Sequence, residues 1–256
     1  MPQGLALSQA VGWNQTPADW ALVIEMSPDG CFAVECDGRV VVATTSTIRY
    51  ATDLAWIGMV LTHPGFRGRG YARALMERAL AHLNDVQTVK LDATEMGQPL
   101  YKKLGFVDEC AIERWIRPAQ PSADYQRSSE PRPQGAVSLE PFLSQLDKKA
   151  FGADRSALLA RLAQFEAASS KDAFAMGRAN RFGPCVSRSK EAAEKLARRF
   201  VARHANEELL WDLFPENNLA DALGFELSRR LTRMTRGRDL KDDRSLIYAG
   251  AGFEFG

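Results

Sequence analysis

One stretch of the chain places a glycine-rich turn between two apolar segments: Val60-Leu61-Thr62-His63-Pro64-Gly65-Phe66-Arg67-Gly68-Arg69-Gly70-Tyr71-Ala72-Arg73. Residues 55–62 form a continuous apolar run, which predicts a buried central strand with a bulge or close backbone approach at Gly58. Residues 71–83 predict a helix, because their apolar side chains fall on one face. The first N–H groups of a helix lack intrahelical partners and lie at the positive end of its dipole. The turn therefore predicts a site for a phosphate or a diphosphate.

Three kinds of phosphate-binding turn were compared with this stretch. A P-loop requires GxxxxGK[ST], and no Lys-Ser or Lys-Thr pair follows these glycines. A dinucleotide-binding turn requires GxGxxG and then an acidic residue, and Gly68, Gly70 and Asp92 fit part of that pattern. However, Arg73 stands where the third glycine is needed for close packing, and the hairpins predicted ahead of the turn suit a parallel sheet poorly.

The third kind fits best, since Arg67, Gly70 and Ala72 match the [QR]-x-x-G-x-[GA] loop of the GCN5-related N-acetyltransferases (GNAT). Leu100-Tyr101-Lys102-Lys103-Leu104-Gly105-Phe106 resembles the LYxKxGF segment of that family, in the expected order and at the expected distance. The resemblance covers about residues 5–117. It implies an α/β (α+β) fold with a mixed sheet and splayed central strands. The paired layout resembles bacterial members with a second, degenerate acetyltransferase-like half.

The predicted elements follow the same order as that fold. In the first half they are a helix from Pro17 capped by Thr16, strands at 31–36 and 39–49 around Asp37-Gly38, a strand at 88–94, a helix at 99–104 and a strand at 110–117. In the second half they are helices at 154–167 and 189–204 and strands at 209–214 and 247–251.

A shift in composition divides the chain into three parts. Residues 118–135 are rich in proline and serine and nearly free of apolar residues, which predicts a linker between domains at 1–117 and 136–256. The sequence Leu-Gly-Phe occurs at 104–106 and again at 223–225, and the similar order of elements around it indicates a degenerate duplication and a smaller GNAT-like second domain. Residues 181–186 stand where a second phosphate loop would be and hold one glycine, so we expect one cofactor site per chain.

The resemblance implies acetyl-CoA (coenzyme A) as the cofactor, with its pantetheine arm between the splayed strands. Its expected contacts are mostly with the backbone of Val60, Leu61, Thr62, Arg67, Gly68, Arg69, Gly70, Tyr71 and Ala72. The arginines of this turn could equally face solvent. A second cluster, Arg229, Arg230, Arg233, Arg236 and Arg238, is expected to be the solvated face of a strand and loop.

Two residues are the catalytic candidates. Tyr101 matches the family tyrosine near the thioester sulfur, where its hydroxyl can protonate the leaving thiolate, and the alternative is a core aromatic. Asp92 is the candidate base or acceptor anchor, and the alternative is a carboxylate that caps the next turn. Trp13, Asn14 and Thr94 are the candidate substrate-binding residues; the alternative for the first two is a helix-capping segment with an anchoring indole.

The resemblance implies an N-acetyltransferase that moves an acetyl group directly to a primary amine of a small molecule or peptide in a ternary complex. An acyl-CoA-binding sensor without activity is the first alternative, because residues 55–59 contain no carboxylate that could act as the base. A nicotinamide-dependent oxidoreductase is the second.

Composition excludes several other classes. The chain has 256 residues, a formal net charge of +1 and 45% hydrophobic residues, which argues against disorder throughout and weakly against a nucleic-acid binder. Its four cysteines form no CxxC pair, so neither a disulfide framework nor a zinc or other metal site is expected. It shows no signal-peptide pattern and no membrane-length apolar run. The expectation is a cytoplasmic protein with an amine substrate, and a homodimer is left open.

Overall fold

The computed structural model describes residues 2–120, 140–240 and 242–256. Its helices are α1 Pro2–Ala10, α2 Pro17–Met26, α3 Tyr71–His82, α4 Gln98–Lys103, α5 Pro141–Phe151, α6 Ser156–Leu162 and α7 Lys190–Arg203. Its strands are β1 Cys31–Cys36, β2 Val40–Tyr50, β3 Leu54–Thr62, β4 Thr88–Ala93, β5 Val107–Arg117, β6 Glu166–Ser169, β7 Ala173–Arg178, β8 Arg181–Ser187, β9 Leu209–Leu213, β10 Glu226–Gly237 and β11 Ile247–Ala249. The predicted linker, 118–135, lies outside the described residues from position 121 onward.

The described residues form two compact units. The first contains the described residues up to Asp108, with Met234–Asp239 and Phe255. The second contains the described residues from Glu109 to Arg233 and from Leu240 to Glu254, with Gly256. Most of β5 thus belongs to the second unit and the end of β10 to the first. The predicted domain limits, 1–117 and 136–256, stay a prediction, because compactness does not show which segments fold independently.

The first unit is built on a mixed sheet in the order β1-β2-β3-β4, with the end of β10 beside β4. β1, β2 and β3 are antiparallel neighbours, and β3 runs parallel to β4. Helix α3 packs on the first three strands, and α1 and α2 contact each other and β2. One apolar cluster, which includes Ile57, Met76, Leu91 and Phe106, joins α3 and α4 to the sheet. This arrangement confirms the predicted mixed α/β architecture.

Local signals account for two features of this unit. Helix α2 begins where predicted, because the Thr16 side chain accepts from the Asp19 N–H at 3.2 Å and the Asp19 carboxylate accepts from the Thr16 N–H at 2.7 Å. The register between β2 and β3 shifts opposite residues 58–61, and Met59 there has φ +50°. The bulge predicted at Gly58 is therefore confirmed, with the left-handed residue one position later.

The second unit carries strands in the order β10-β5-β9-β8-β7-β6, with β11 paired to β8. β5 is antiparallel to β9, and β8 is parallel to β9. Helix α7 contacts β7 and β8, and its Phe200 belongs to a buried cluster with Phe182, Trp211 and Phe225. The unit therefore repeats the combination of antiparallel strands, a parallel pair and a covering helix.

The Leu-Gly-Phe repeat has the same backbone geometry in both places. Gly105 and Gly224 each end a short helical turn with positive φ, +86° and +78°. The N–H of Phe106 bonds to the Tyr101 carbonyl, and the N–H of Phe225 bonds to the Ala220 carbonyl, both at 3.1 Å. A strand, β5 or β10, follows each turn. This shared geometry supports the duplication that the sequence predicts.

Two expectations for the second half were wrong. The helix predicted over 154–167 is α6, which ends at Leu162, and Glu166 already begins strand β6. Arg233 is not solvated: it is buried on β10, with its guanidinium 4.9 Å from the Phe214 ring centre. In both cases strand pairing or packing against a neighbouring element overrode the local sequence pattern.

A charged cluster links α7 to β6 in the second unit. The His204 Nε2 lies 2.8 Å from a Glu166 oxygen, and its Nδ1 lies 3.3 Å from Glu207. Arg203 also pairs with Glu166, at 2.6 Å. Burial disfavours the charged imidazole, but its bonds to both carboxylates prevail and raise the His204 pKa. Burial also opposes the Glu166 charge, yet His204 and Arg203 prevail and lower the Glu166 pKa.

We expect this cluster to make stability depend on pH. A raised histidine pKa stabilises the fold below the ordinary value of 6.5, and that contribution is lost as pH rises through the folded value. A lowered glutamate pKa stabilises the fold above the ordinary value of 4.5, and that contribution is lost as pH falls through the folded value. His204→Gln should therefore lower the unfolding free energy by about 1–2 kcal/mol near pH ~5.5 and by less near pH ~8.5.

Urea denaturation at the two pH values, with His82→Gln as the matched control, measures the difference. An equal loss at both pH values would contradict a charged His204.

Candidate active site

The two parallel strands at the centre of the first unit pair over a short length only. Leu54 pairs with Thr88, Ala55 with Val89 and Trp56 with Lys90, and no later pair joins β3 and β4 in the described part of the chain. Yet β3 continues to Thr62 and β4 to Ala93. The predicted splay is therefore present, and the edge of residues 57–62 that faces β4 is open to an extended ligand.

The glycine-rich turn stands at the end of this open edge. Gly68 and Gly70 have φ +77° and +81°, and a Cβ at either would meet open space. Among the described residues, no acceptor bonds to the N–H groups of residues 68–73. These groups open helix α3, so they combine free donors with the positive end of a helix dipole. The turn therefore fits a diphosphate.

The three arginines of the turn differ in their surroundings. The Arg69 guanidinium lies 4.8 Å from the Phe66 ring centre, and Arg73 pairs with Glu77 at 3.5 Å on the exposed face of α3. The exposed Arg67 side chain makes no hydrogen bond or ion pair within the described residues. Of the three arginines, Arg67 is therefore the best placed to bind an anion with its guanidinium group.

The strand residues predicted to contact the cofactor lie along the splay. Leu61 is buried, and Val60 and Thr62 are half-buried. Leu61 and Thr62 pair with Thr44 and Ala43 of β2, which leaves their other edge to the splay. The Thr62 hydroxyl oxygen is buried without a partner among the described residues. The Thr62 hydroxyl is therefore able to bond to a ligand at the position where the sequence predicts contact with the cofactor.

Tyr101 lies on α4, buried in the apolar cluster of the first unit. Its ring packs edge-on against Phe106, with ring centres 6.2 Å apart. Burial raises the pKa of its hydroxyl, which therefore stays protonated at physiological pH. Within the described residues the hydroxyl makes no hydrogen bond, so its proton is available to a ligand atom. Core packing and proton donation are thus compatible at this residue.

Asp92 lies on β4 but on the other face of the sheet. Leu91 and Ala93 belong to the cluster that contains Tyr101, and side chains alternate along a strand. The half-buried Asp92 therefore points away from that cluster. The structure does not bring the two catalytic candidates into contact, and any joint action has to take place across the splay.

The candidate substrate-binding residues are spread over two loops. Trp13 is half-buried after α1, where its N–H bonds to the Ser8 carbonyl at 2.9 Å, and Asn14 beside it is exposed. The Thr94 carbonyl accepts from the N–H groups of Gly97 and Gln98 and so opens α4.

Sequence reasoning missed Gly97 and Gln15. A Cβ at Gly97 would lie 2.7 Å from a Tyr101 ring carbon, so only glycine leaves the ring in place. The sequence signal that could have identified Gly97 is its position just before Gln98-Pro99, where a helix begins. Gln15 is buried, and its side-chain oxygen has no partner among the described residues. No pattern in the sequence distinguishes it from its neighbours.

Among residues 2–120, 140–240 and 242–256, no group of three histidine, cysteine or acidic side chains could hold a metal ion. No helix within those residues has the length and apolar character needed to cross a membrane.

Solved structures share the fold over the whole chain. A putative acetyltransferase from Pyrococcus horikoshii is 23% identical, with a TM-score of 0.83 over 100% of this chain and 92% of its own. A GCN5-related N-acetyltransferase from Sphaerobacter thermophilus is 14% identical, with a TM-score of 0.58 over 93% of this chain and 92% of its own. At these identities the similarity shows the fold alone.

Sequence comparisons place both halves in one family. Holothin acyltransferase from Pseudoalteromonas sp. (strain SANK 73390) is 25% identical over 239 residues, which are 84% of this chain and 78% of that protein. One model of an acetyltransferase (GNAT) domain matches residues 27–108, and a second matches residues 143–249. The two matches together span most of the chain, which therefore belongs to the GNAT acetyltransferases and carries two such domains in tandem.

Proposed function

We propose that the first unit binds acetyl-CoA and transfers the acetyl group directly to a primary amine of a small molecule or peptide. One observation carries this proposal: the pairing of β3 with β4 stops at Trp56 and Lys90, and the gap leads to a turn of free N–H groups. An extended arm with amide groups could bond to the open edge of β3 as an added strand would. A diphosphate at the other end of the arm would then meet residues 68–73.

The chain's own residues supply the remaining parts of the mechanism. Acetyl-CoA supplies the acyl group as a thioester. The N–H groups on the open edge of β3 orient the donor and polarise its carbonyl. The Tyr101 hydroxyl donates its proton toward the sulfur as the C–S bond breaks. Holding the donor and the amine together lowers the barrier through proximity, without a covalent enzyme intermediate.

Asp92 is the proposed base, acting directly or through water. An ammonium acceptor must lose a proton before attack, and residues 55–59 contain no carboxylate. A gap in a sheet is open to both of its faces. Asp92 and Tyr101, which lie on opposite faces, could therefore serve the attacking amine and the leaving sulfur from the two sides.

A catalytically silent acyl-CoA sensor is the second candidate, favoured by the same missing carboxylate. Family membership leaves the nicotinamide alternative without support. Similarity to a holothin acyltransferase supports acyl transfer in general and leaves the choice of acyl group open. Release of free thiol from a panel of acyl-CoAs, with and without a panel of small amines and peptides, separates the candidates. Binding without amine-dependent release would favour the sensor.

Gly70→Glu should abolish binding of acetyl-CoA, because it places a negative side chain where the diphosphate meets the turn. Gly38→Glu is the matched control: Gly38 has φ +75°, close to the +81° of Gly70, and a Cβ there also meets open space. The control therefore carries the same backbone strain and the same charge. Titration calorimetry measures both variants, and full affinity in Gly70→Glu would refute the assignment of the turn.

Tyr101→Phe should lower kcat by about 10²-fold or more and leave the Kd for acetyl-CoA nearly unchanged, because the hydroxyl acts only as the sulfur gains charge. Tyr248→Phe, in the second unit, is the matched control. Steady-state kinetics and calorimetry supply the two readouts. An unchanged kcat would assign Tyr101 to packing alone.

A further inference from the structure

The second unit repeats the splay of the first. β8 and β9 are parallel and pair only at Arg181 with Leu210 and at Phe182 with Trp211. β8 nevertheless continues to Ser187 and β9 to Leu213. As in the first unit, the two central strands separate after a short paired stretch.

A strand from later in the same chain lies beside this separated stretch. β11 pairs antiparallel with β8, with Ile247 opposite Val186 and Ala249 opposite Cys185. Toward β9, the Trp211 indole N–H donates to the Tyr248 carbonyl and the Gly250 N–H donates to the Asp212 carbonyl, both at 2.8 Å. Residues 247–250 are thus bonded to both separated strands and fill the gap between them.

The fit of this segment is close. Ile247 and Ala249 are buried. A Cβ on Gly183 of β8 would lie 2.0 Å from the Gly250 carbonyl oxygen, so the two backbones are in direct contact. A little further on, Glu254 pairs with Arg178 at 3.2 Å, and both side chains are buried. The segment leaves no room for a second extended chain beside β8.

The second unit also lacks a phosphate turn. Only Arg188 and Ser189 separate β8 from α7, whereas residues 63–70 separate β3 from α3. The Arg188 N–H bonds to the Asp172 carbonyl at 3.0 Å, and the Ser189 N–H bonds to the Ser187 hydroxyl at 3.1 Å. Ser189 itself caps α7 by accepting from the Ala192 N–H at 3.2 Å. The N–H groups of Arg188, Ser189 and Ala192 therefore already have acceptors within the second unit, in contrast to the N–H groups of residues 68–73.

The carboxylate on the matching strand is neutralised as well. Asp212 of β9 is fully buried and bonds to Arg114 at 2.6 Å and to Arg181 at 2.8 Å. Burial would raise its pKa, but the two guanidinium groups hold the pKa below its ordinary value. Asp212 is therefore a fixed ion-pair partner that cannot act as a base near neutral pH.

We propose that residues 247–250 permanently occupy, in the second GNAT domain, the cleft that is open in the first, so that the chain binds one acyl-CoA. This inference rests on the proposed function for the identity of the ligand in the first cleft. The occupancy of the second cleft does not depend on it. In the second domain, hydrogen bonds from residues 247–250 thereby take the place that a ligand would have between the separated strands.

Amide hydrogen exchange on the full chain, with and without coenzyme A, tests the occupancy. Peptides that cover 183–187 and 247–250 should be protected without coenzyme A and unchanged by it, whereas residues 65–73 should gain protection. Rapid exchange of 247–250 in the free protein, or protection gained there with coenzyme A, would overturn the inference. If coenzyme A does not slow amide exchange of residues 65–73, the proposed function fails. Protection of 247–250 in the free protein would still support the occupied cleft.

Two variants loosen the segment by different means. Gly183→Ala forces a Cβ against the Gly250 carbonyl, and Trp211→Phe removes the donor to the Tyr248 carbonyl. Each should speed exchange of 247–250 by about tenfold or more. Gly38→Ala, with positive φ and open space around its Cβ, is the control and should not. Unchanged exchange in both variants would show that the segment is not held in the cleft.

Stoichiometry gives an independent readout. In Gly70→Glu the first cleft is blocked while the second unit is untouched, so we expect no binding of coenzyme A by calorimetry. The inference would be overturned if Gly70→Glu still bound one coenzyme A per chain and that binding were lost when Ser189 was also replaced by glutamate. Such a result would place a second site in the second domain.

Discussion

The separation of two parallel strands is the constraint on which the rest of this molecule depends. Beyond Trp56 and Lys90 the backbone of β3 has no strand partner on the β4 side within the described residues. Leaving a buried backbone donor or acceptor unpaired costs about 1–3 kcal/mol. Such an edge must therefore be satisfied by water, by a ligand or by another segment of chain. The bulge around Met59 lies on β3 just beyond the last pair with β4, and a bulge bends the strand that carries it.

The two units satisfy the same constraint in different ways. In the first, the open edge ends at a turn with free N–H groups, which makes it suited to an elongated anionic ligand. In the second, residues 247–250 bond to both separated strands, and the connection from β8 to α7 consists of Arg188 and Ser189 and contains no glycine. The two GNAT domains thus share the separation of their central strands, and among the described residues they differ in whether another segment of the chain lies between those strands.

Local sequence signals predicted most of the first unit. The Thr16 cap, the glycine turn before α3 and the Tyr101 segment each act over a few residues, so their consequences can be worked out without long-range information. The placement of β5 and of the end of β10 could not be predicted in this way, because it depends on pairing between segments about a hundred residues or more apart, such as Glu113 with Leu213. The helix expected over 154–167 failed for a related reason: Phe165 continues the apolar spacing, yet it is exposed, and Glu166 pairs with Gly177 in a hairpin. The orientation of Asp92 away from the Tyr101 cluster likewise emerged only from the register of β4.

A crystal structure of the full chain grown with acetyl-CoA would test directly whether the first cleft binds the cofactor and the second is filled by residues 247–250. We expect one molecule per chain, with its pantetheine arm along residues 60–62, its diphosphate on the N–H groups of residues 68–72 and its sulfur near the Tyr101 hydroxyl. Density for the nucleotide away from that turn, or for a pantetheine arm between β8 and β9 with residues 247–250 displaced, would contradict it.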